Sequence, residues 1–340
     1  MQAPACTMPQ LLKAPMATPA TLFAPLHPTL LHTLQIDPAQ HPRGMAHLSA
    51  ASGLVRVRQR LYVVADDELH LGQFDDCGSP TPAAAPGRLL RLLDGELPQG
   101  KKQRKAAKPD LESLALLPPL PGCPAGALLA LGSGSRPNRE TGVLVALDVV
   151  GQPNGRMATL DLGGLYAPLH KRFADLNIEG ALVVSGELLL LQRGNLADPH
   201  SACIRYDWNQ IAPWLAGLQP QPPAAKSVQR MDLGHVDGVP LTLTDGTPLH
   251  GGAWAFAAVA ESTDDSYADG ACVASAVGIV LPDGQVRQVH LLHGAPKVEG
   301  LAVLSDGSDW VFTMVTDPDD PQQAAQLLQL RLPQDKDTQA

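Results

Sequence analysis

The sequence predicts an all-β fold, a β-propeller of five four-stranded blades. Three observations carry this. A short phrase recurs five times, each copy is followed by apolar runs that stop abruptly in polar residues, and one apolar stretch near the start has no partner of its own. The phrase is an acidic or hydroxyl residue, then Gly or Ser, then an apolar strand. Its copies are Ser52-Gly53-Leu54, Glu112-Ser113-Leu114, Glu179-Gly180-Ala181, Asp237-Gly238-Val239 and Glu299-Gly300-Leu301, spaced by 60, 67, 58 and 62 residues. A period of this kind marks stacked structural units, because one unit alone cannot bury both its faces.

Taken in chain order, the second strand of each unit is read at LYVVADD (61–67), LLALGSGSR (128–136), LLLLQRGN (188–195), AFAAVAESTDD (255–265) and WVFTMVTDPDD (310–320). The third is read at LHLGQFDD (69–76), GVLVALD (142–148), ACIRYD (202–207), VGIVLPDG (277–284) and AQLLQLRLP (325–333). A fourth is visible as RLLRLL (88–93), RMATLDL (156–162) and QVRQVHLL (285–292). Short strands bounded by Asp, Gly and Pro at regular intervals are a sheet signature.

The last unit ends after its third strand, while LLHTLQID (30–37) precedes the first unit unpaired. Pairing the two removes an open edge and closes the ring. WNQIAPWLAGL (208–218) reads as a helical excursion followed by a Pro-rich loop. A strand pair hidden between Trp208 and Arg230 would raise the count to six blades. The expected organisation is a disordered lead-in at 1–20, one propeller domain at 21–333 and a short tail at 334–340.

Composition narrows the function classes. The 31 Gly and 32 Pro exclude long helices, and 44% apolar residues suffice for a full core. A net charge of −9 disfavours nucleic acid and anionic membrane as partners. The five cysteines are scattered and never form C-x-x-C, which reads as free thiols in a reducing compartment, so a cytoplasmic location is expected. Met1 to Phe23 lacks a continuous apolar leader segment. G-x-x-x-x-G-K-[ST], G-x-S-x-G and H-E-x-x-H are all absent.

In a propeller the innermost strands line the channel, so equivalent starts form a ring: Ser52, Glu112, Glu179, Asp237 and Glu299. Converging carboxylates need a cation, shared protons or solvation. Hard oxygen donors at this density suit calcium, with magnesium as the alternative. Two readings of the repeated acid stay open. One makes Glu112, Glu179, Asp237 and Glu299 metal ligands; the other makes them structural caps accepting backbone hydrogen bonds.

Loops on the same face carry Asp66, Asp67, Arg136, Asn138, Arg193, Asn195, Glu261, Asp264 and Asp317. Of these, Arg136, Asn138, Arg193 and Asn195 are expected to bind an anionic or polyhydroxylated small molecule. Two residues before the ring stand Asp110, Asn177, His235 and Lys297. Lys297 joins the ligand-binding set, and His235 is the candidate acid or base. The basic run GKKQRKAAK (100–108) reads as a flexible loop able to clamp an anion over the mouth.

On the phrases NIEGA (177–181) and KVEGLAV (297–303), the chain resembles bacterial propellers of the esterase-like phytase and SdiA-regulated kind. It looks closer still to an uncharacterised bacterial propeller family with ESLAL, IEGA and VEGLAV blades. The resemblance implies a calcium-dependent site at one channel mouth, with Glu179 and Glu299 at the matching positions. Two functions follow as expectations. One is a metal-assisted hydrolase of phosphate esters, carboxylic esters or lactones; the other is a non-catalytic ligand-binding or scaffold propeller.

Overall fold

The computed structural model describes residues 20–76, 85–265 and 270–334. They form five sheets around one axis, with innermost strands Ala51–Val57, Leu111–Leu117, Ile178–Val184, Val239–Pro248 and Val298–Asp306. Each sheet is an antiparallel meander from axis to rim, and the blades are numbered 1 to 5 in that order.

The apolar runs carry apolar residues on both faces because each blade is pressed between two others. In blade 1, Leu61 and Val63 pack with Val315 and Leu327 of blade 5, while Tyr62 and Val64 pack with Leu114 and Leu128 of blade 2. Successive side chains point to opposite faces of a strand, so alternation here serves two cores. The same division repeats between every neighbouring pair of blades, giving five interblade cores.

Closure follows the expected route. Thr29–Thr33 pairs antiparallel with the last strand, Gln326–Pro333, and completes blade 5. An additional strand, Leu22–Leu26, which the sequence pattern did not reveal, runs parallel to Val286–Leu292 on the outer edge of blade 4. Leu22–Leu26 and Thr29–Thr33 therefore fasten two neighbouring blades. The disorder expected for 1–20 and 334–340 falls almost entirely outside the described residues.

Among the described residues, three short α-helices interrupt the meander. α1 (Lys101–Ala107) stands where the basic run suggested a flexible loop. Arg104 orders it: that side chain is buried and donates to the Asp67 and Pro98 carbonyls and to the Glu68 carboxylate. α2 (Gly163–His170) buries Leu165, Tyr166 and Leu169 between blades 2 and 3. α3 (Trp208–Leu215) is the expected excursion, capped by the Asp207 carboxylate, which accepts from the Asn209 amide. The chain then returns as Ser227–Met231, the fourth strand of blade 3, so the count stays at five.

Blade 4 corrects the assignment of the repeated phrase. Asp237 and Gly238 have φ of +50° and +81° and form the two-residue turn joining His235–Val236 to Val239–Pro248. Asp-Gly with both residues at positive φ is a favoured hairpin connection. The inner-strand equivalent lies further on, at Thr244-Asp245-Gly246. Every inner strand bulges at one place, where a single residue is left unpaired: Ser52, Glu112, Glu179, Thr244 and Glu299. A bulge re-aims its side chain out of the strict alternation.

The residue after each bulge meets the other blades at the axis. A Cβ on Gly180 would lie 3.0 Å from the Asp245 Cα, and one on Gly300 would lie 2.9 Å from the Leu54 amide nitrogen. Close backbone approach explains glycine there. Blade 4 instead places Asp245, fully buried, whose carboxylate accepts from the amides of Gly246, Leu301 and Leu54. Burial pushes its pKa well above the usual carboxylate range, and the three amides pull it back. One side chain thus joins blades 4, 5 and 1 beneath the bulged residues.

Candidate functional site

The bulged glutamates form the floor of a cavity of about 190 Å³ at one end of the axis. Glu112, Glu179 and Glu299 come from blades 2, 3 and 5, and one carboxylate oxygen of each lies within 4.8 Å of the others. All three are buried, at 8%, 4% and 4% exposure, so their charges are poorly solvated. A second group, Asp66, Asp110 and Glu112, meets the same distance limit and shares Glu112 with the first.

Cations are threaded between these acids. Arg193 reaches Glu179 at 3.4 Å, Glu299 at 3.5 Å and, most closely, Glu261. Lys297 lies 3.4 Å from Glu299 and 2.7 Å from Asp319. The Lys108 ammonium contacts Asp66 and, at 2.7 Å, Asp110, which Arg139 also holds at 2.7 Å. Glu112 stands apart: among the described residues it has no hydrogen bond and no ion pair at contact distance. A buried carboxylate without a donor is costly.

The electrostatics follow from burial. Desolvation, with Asp110 and Glu179 nearby, raises the Glu112 pKa well above the normal range. Desolvation also raises Glu179 to about 7, with Glu299 adding to the shift and Arg193 opposing it, and raises Asp66 to about 6. Asp317 is raised well above its ordinary value by burial and Glu299. Burial alone would lower Lys108, but Asp66, Asp110 and Glu112 outweigh it and the ammonium stays charged.

These shifts give the cation-free protein a definite pH response. Glu179 and Asp66 bind protons more tightly folded than unfolded, so their contribution to stability is present at low pH and lost as pH rises towards 7. Melting temperature of the cation-free protein is expected to fall between about pH 5 and 7.5, by the equivalent of a few kcal/mol. Asp110 and Glu261 are shifted down, and their opposite contribution is complete below that window. Calorimetric melts with Glu179→Gln alongside check this: the slope should flatten in the variant. An unchanged slope would contradict the assignment to Glu179.

The cavity gathers some of the expected residues and omits others. Glu112, Glu179, Glu299, Arg193, Asn195 and Lys297 line it, as do Asp66, Asp67, Asp110, Asn177, Glu261 and Asp317. Asn195 is held by Asp175 at 2.9 Å and caps its own turn by accepting from the Ala197 and Asp198 amides. Arg136 and Asn138 are exposed and do not line the cavity; Asn138 instead donates to the Lys108 carbonyl at 3.0 Å. Their neighbour Arg139 is the buried one, because the 3-10 turn Pro137–Arg139 rotates it inward. Asp237 and His235 sit on the hairpin away from the cavity, so neither belongs to the ring nor reaches the site.

Sequence reasoning missed Arg139, Lys108 as a site residue, and the Thr244-Asp245 pair. Only the last had a visible signal: Thr244 keeps a spacing of 65 residues from Glu179 and lies inside an apolar strand.

The profile of a family of unknown function (DUF6910) matches residues 104–321, which spans blades 2 to 4, the two inner strands of blade 5 and most of the cavity. The chain belongs to that family. No protein of curated function matches the sequence. Among solved structures, the DUF6910 chain resembles a glutaminyl cyclase from Myxococcus xanthus at 11% identity and TM-score 0.44, covering 92% of this chain and 100% of that one. A calcium-binding protein, regucalcin, from Agrobacterium tumefaciens aligns at 13% identity and TM-score 0.42, over 92% and 95% of the two chains. An exo-1,5-α-L-arabinanase from a bovine ruminal metagenomic library aligns at 10% identity and TM-score 0.44, over 86% and 96%. Likeness at this level carries no reaction across to this family member. No helix among the described residues is long and apolar enough to cross a membrane.

Proposed function

We propose that the cavity holds a divalent, oxygen-seeking cation on Glu112, Glu179 and Glu299 and hydrolyses an ester bond in a small oxygen-rich molecule. Phosphate esters, carboxylic esters and lactones are the candidate substrates. The observation that carries this reading is Glu112, which is 8% exposed, lines the cavity and has no partner among the described residues, with two further glutamates converging on it. An all-oxygen donor set fits calcium or magnesium. The resemblance of NIEGA and KVEGLAV to the esterase-like phytase phrase points the same way.

The bound ion would polarise a substrate oxygen or lower the pKa of a water. The chain's own groups supply the rest. Arg193, fixed by Glu261, orients Glu179 and Glu299, and Lys297, fixed by Asp319, orients Glu299. Asp317, whose pKa burial and Glu299 raise well above its ordinary value, is the proton-donor candidate in the cavity wall, a place His235 does not reach.

One observation favours a binding protein without chemistry: Arg193 already lies between Glu179 and Glu299 as an internal counter-ion. Titration with calcium and magnesium, together with assays on an aryl phosphate, an aryl ester and a lactone, separates the readings. Hydrolysis lost to a chelator and restored by the ion is the expected result. Cation binding without turnover of any of the three substrates would favour the binding module, and no cation binding would overturn the metal site itself.

A further inference from the structure

We infer that Lys108 is the second positive centre of this site: its ammonium fills the Asp66–Asp110–Glu112 group and thereby limits the protein to one divalent ion. This rests on the proposed cation site. Two carboxylate groups sharing one bridging acid would otherwise be the donor set for a pair of ions, the arrangement that clamps both oxygens of a displacement in two-metal hydrolases. Here both groups share Glu112, and their donors all come within 4.8 Å inside each group.

Each group has a cation beside two of its acids, and the groups differ in how closely that cation sits. In the Asp66–Asp110–Glu112 group, the Lys108 ammonium contacts Asp66 and Asp110 and is only 7% exposed. Several contacts fix its placement. Its carbonyl accepts from the Asn138 side chain at 3.0 Å, and its amide donates to the Arg104 carbonyl at 2.8 Å. Arg104 in turn is anchored on Glu68 at 3.1 Å, so α1 delivers the lysine to a defined place. In the Glu112–Glu179–Glu299 group Arg193 stands off at 3.4 and 3.5 Å from Glu179 and Glu299, Lys297 stands 3.4 Å from Glu299, and all three acids line the cavity.

The consequence reaches the ligand. One divalent ion beside a fixed ammonium offers less positive charge than two divalent ions. Acidic residues also crowd the cavity wall. Such a site suits a neutral or singly charged ester better than a polyphosphate.

Manganese is the probe, because it replaces either ion and its electron paramagnetic resonance reports whether two ions are close. The full-length protein is expected to take one manganese per chain with an uncoupled signal. Lys108→Gln is expected to take two with a coupled signal, and Lys108→Arg, which keeps the charge, to stay at one. A coupled pair in the unmodified protein, or two ions in Lys108→Arg, would overturn the inference while leaving the cation site standing. A single ion in a folded Lys108→Gln would overturn it too. No manganese bound to the unmodified protein would remove the proposed cation site and this inference with it. Should Lys108→Gln fail to fold, the other two proteins still decide the matter.

Discussion

Glu112→Gln is expected to weaken calcium binding by about 100-fold or more while raising the melting temperature of the cation-free protein. Both signs come from the same isolation. Glu112 is buried, has no hydrogen bond or ion pair at contact distance among the described residues, and its pKa is pushed well above the usual range by desolvation, Asp110 and Glu179. Without an ion its charge is a burden, and a neutral amide of the same shape relieves it. With an ion present that charge is what holds it, and disturbing even an outer partner of a metal typically costs about 10–100-fold. Glu299→Gln should weaken calcium binding in the same way. Its effect on stability should be smaller or reversed, since Lys297 and Arg193 both neighbour it and would lose a partner. Titration calorimetry and melting curves on the same samples measure the pair of effects. Unchanged affinity in both variants would leave the glutamates as structural groups only.

Asp245→Ala is expected to be the most damaging single change outside the interblade cores. The carboxylate accepts from three amides on three blades, at 2.7 Å for both Gly246 and Leu301. Truncation would leave those amides buried and unpaired, each worth about 1–3 kcal/mol. A loss of about 3 kcal/mol or more corresponds to roughly 5–10 °C in Tm for a domain of this size. Asp245→Asn should fall between, because one oxygen is kept while an NH₂ group is turned towards an amide donor. Glu299 stands two residues before Leu301, which Asp245 holds, so weaker calcium binding should accompany the loss. Denaturant melts of both variants test the ranking, and a stable Asp245→Ala would remove the axial tie.

Glu112 was legible in the sequence and Asp245 was not. Glu112, Glu179 and Glu299 each open an apolar strand at regular spacing, so periodicity alone places them on one ring. Asp237 satisfies the same local pattern and fails, since Asp-Gly is both a strand opening in this repeat and a hairpin turn in general. Only pairing distinguishes the two: the bulge that marks the ring falls at Thr244 in blade 4. His235 was drawn to the site by the same misplacement.

The ligand-binding residues divide along a similar line. Arg193 follows directly from a buried strand, so its place beside the ring could be read from chain position. Arg136, Asn138 and Arg139 lie within one short turn, and which of them faces inward depends on the 3-10 geometry and on the Asp110 carboxylate waiting there. Lys108 sits in a run of lysines that reads as solvated, and becomes a site residue because Arg104 anchors α1 on Glu68.

By itself, then, the sequence determined the repeat, the blade count, the ring closure and the convergence of Glu112, Glu179 and Glu299. These depend on hydrophobic period and turn chemistry, which are local and recur along the chain. The tertiary structure decided which acids are paired, that Asp245 ties the axis, and that Lys108 occupies the second carboxylate group. Charge pairing across blades joins residues far apart in the sequence, such as Arg193 and Glu299, and no local pattern encodes the distance between them.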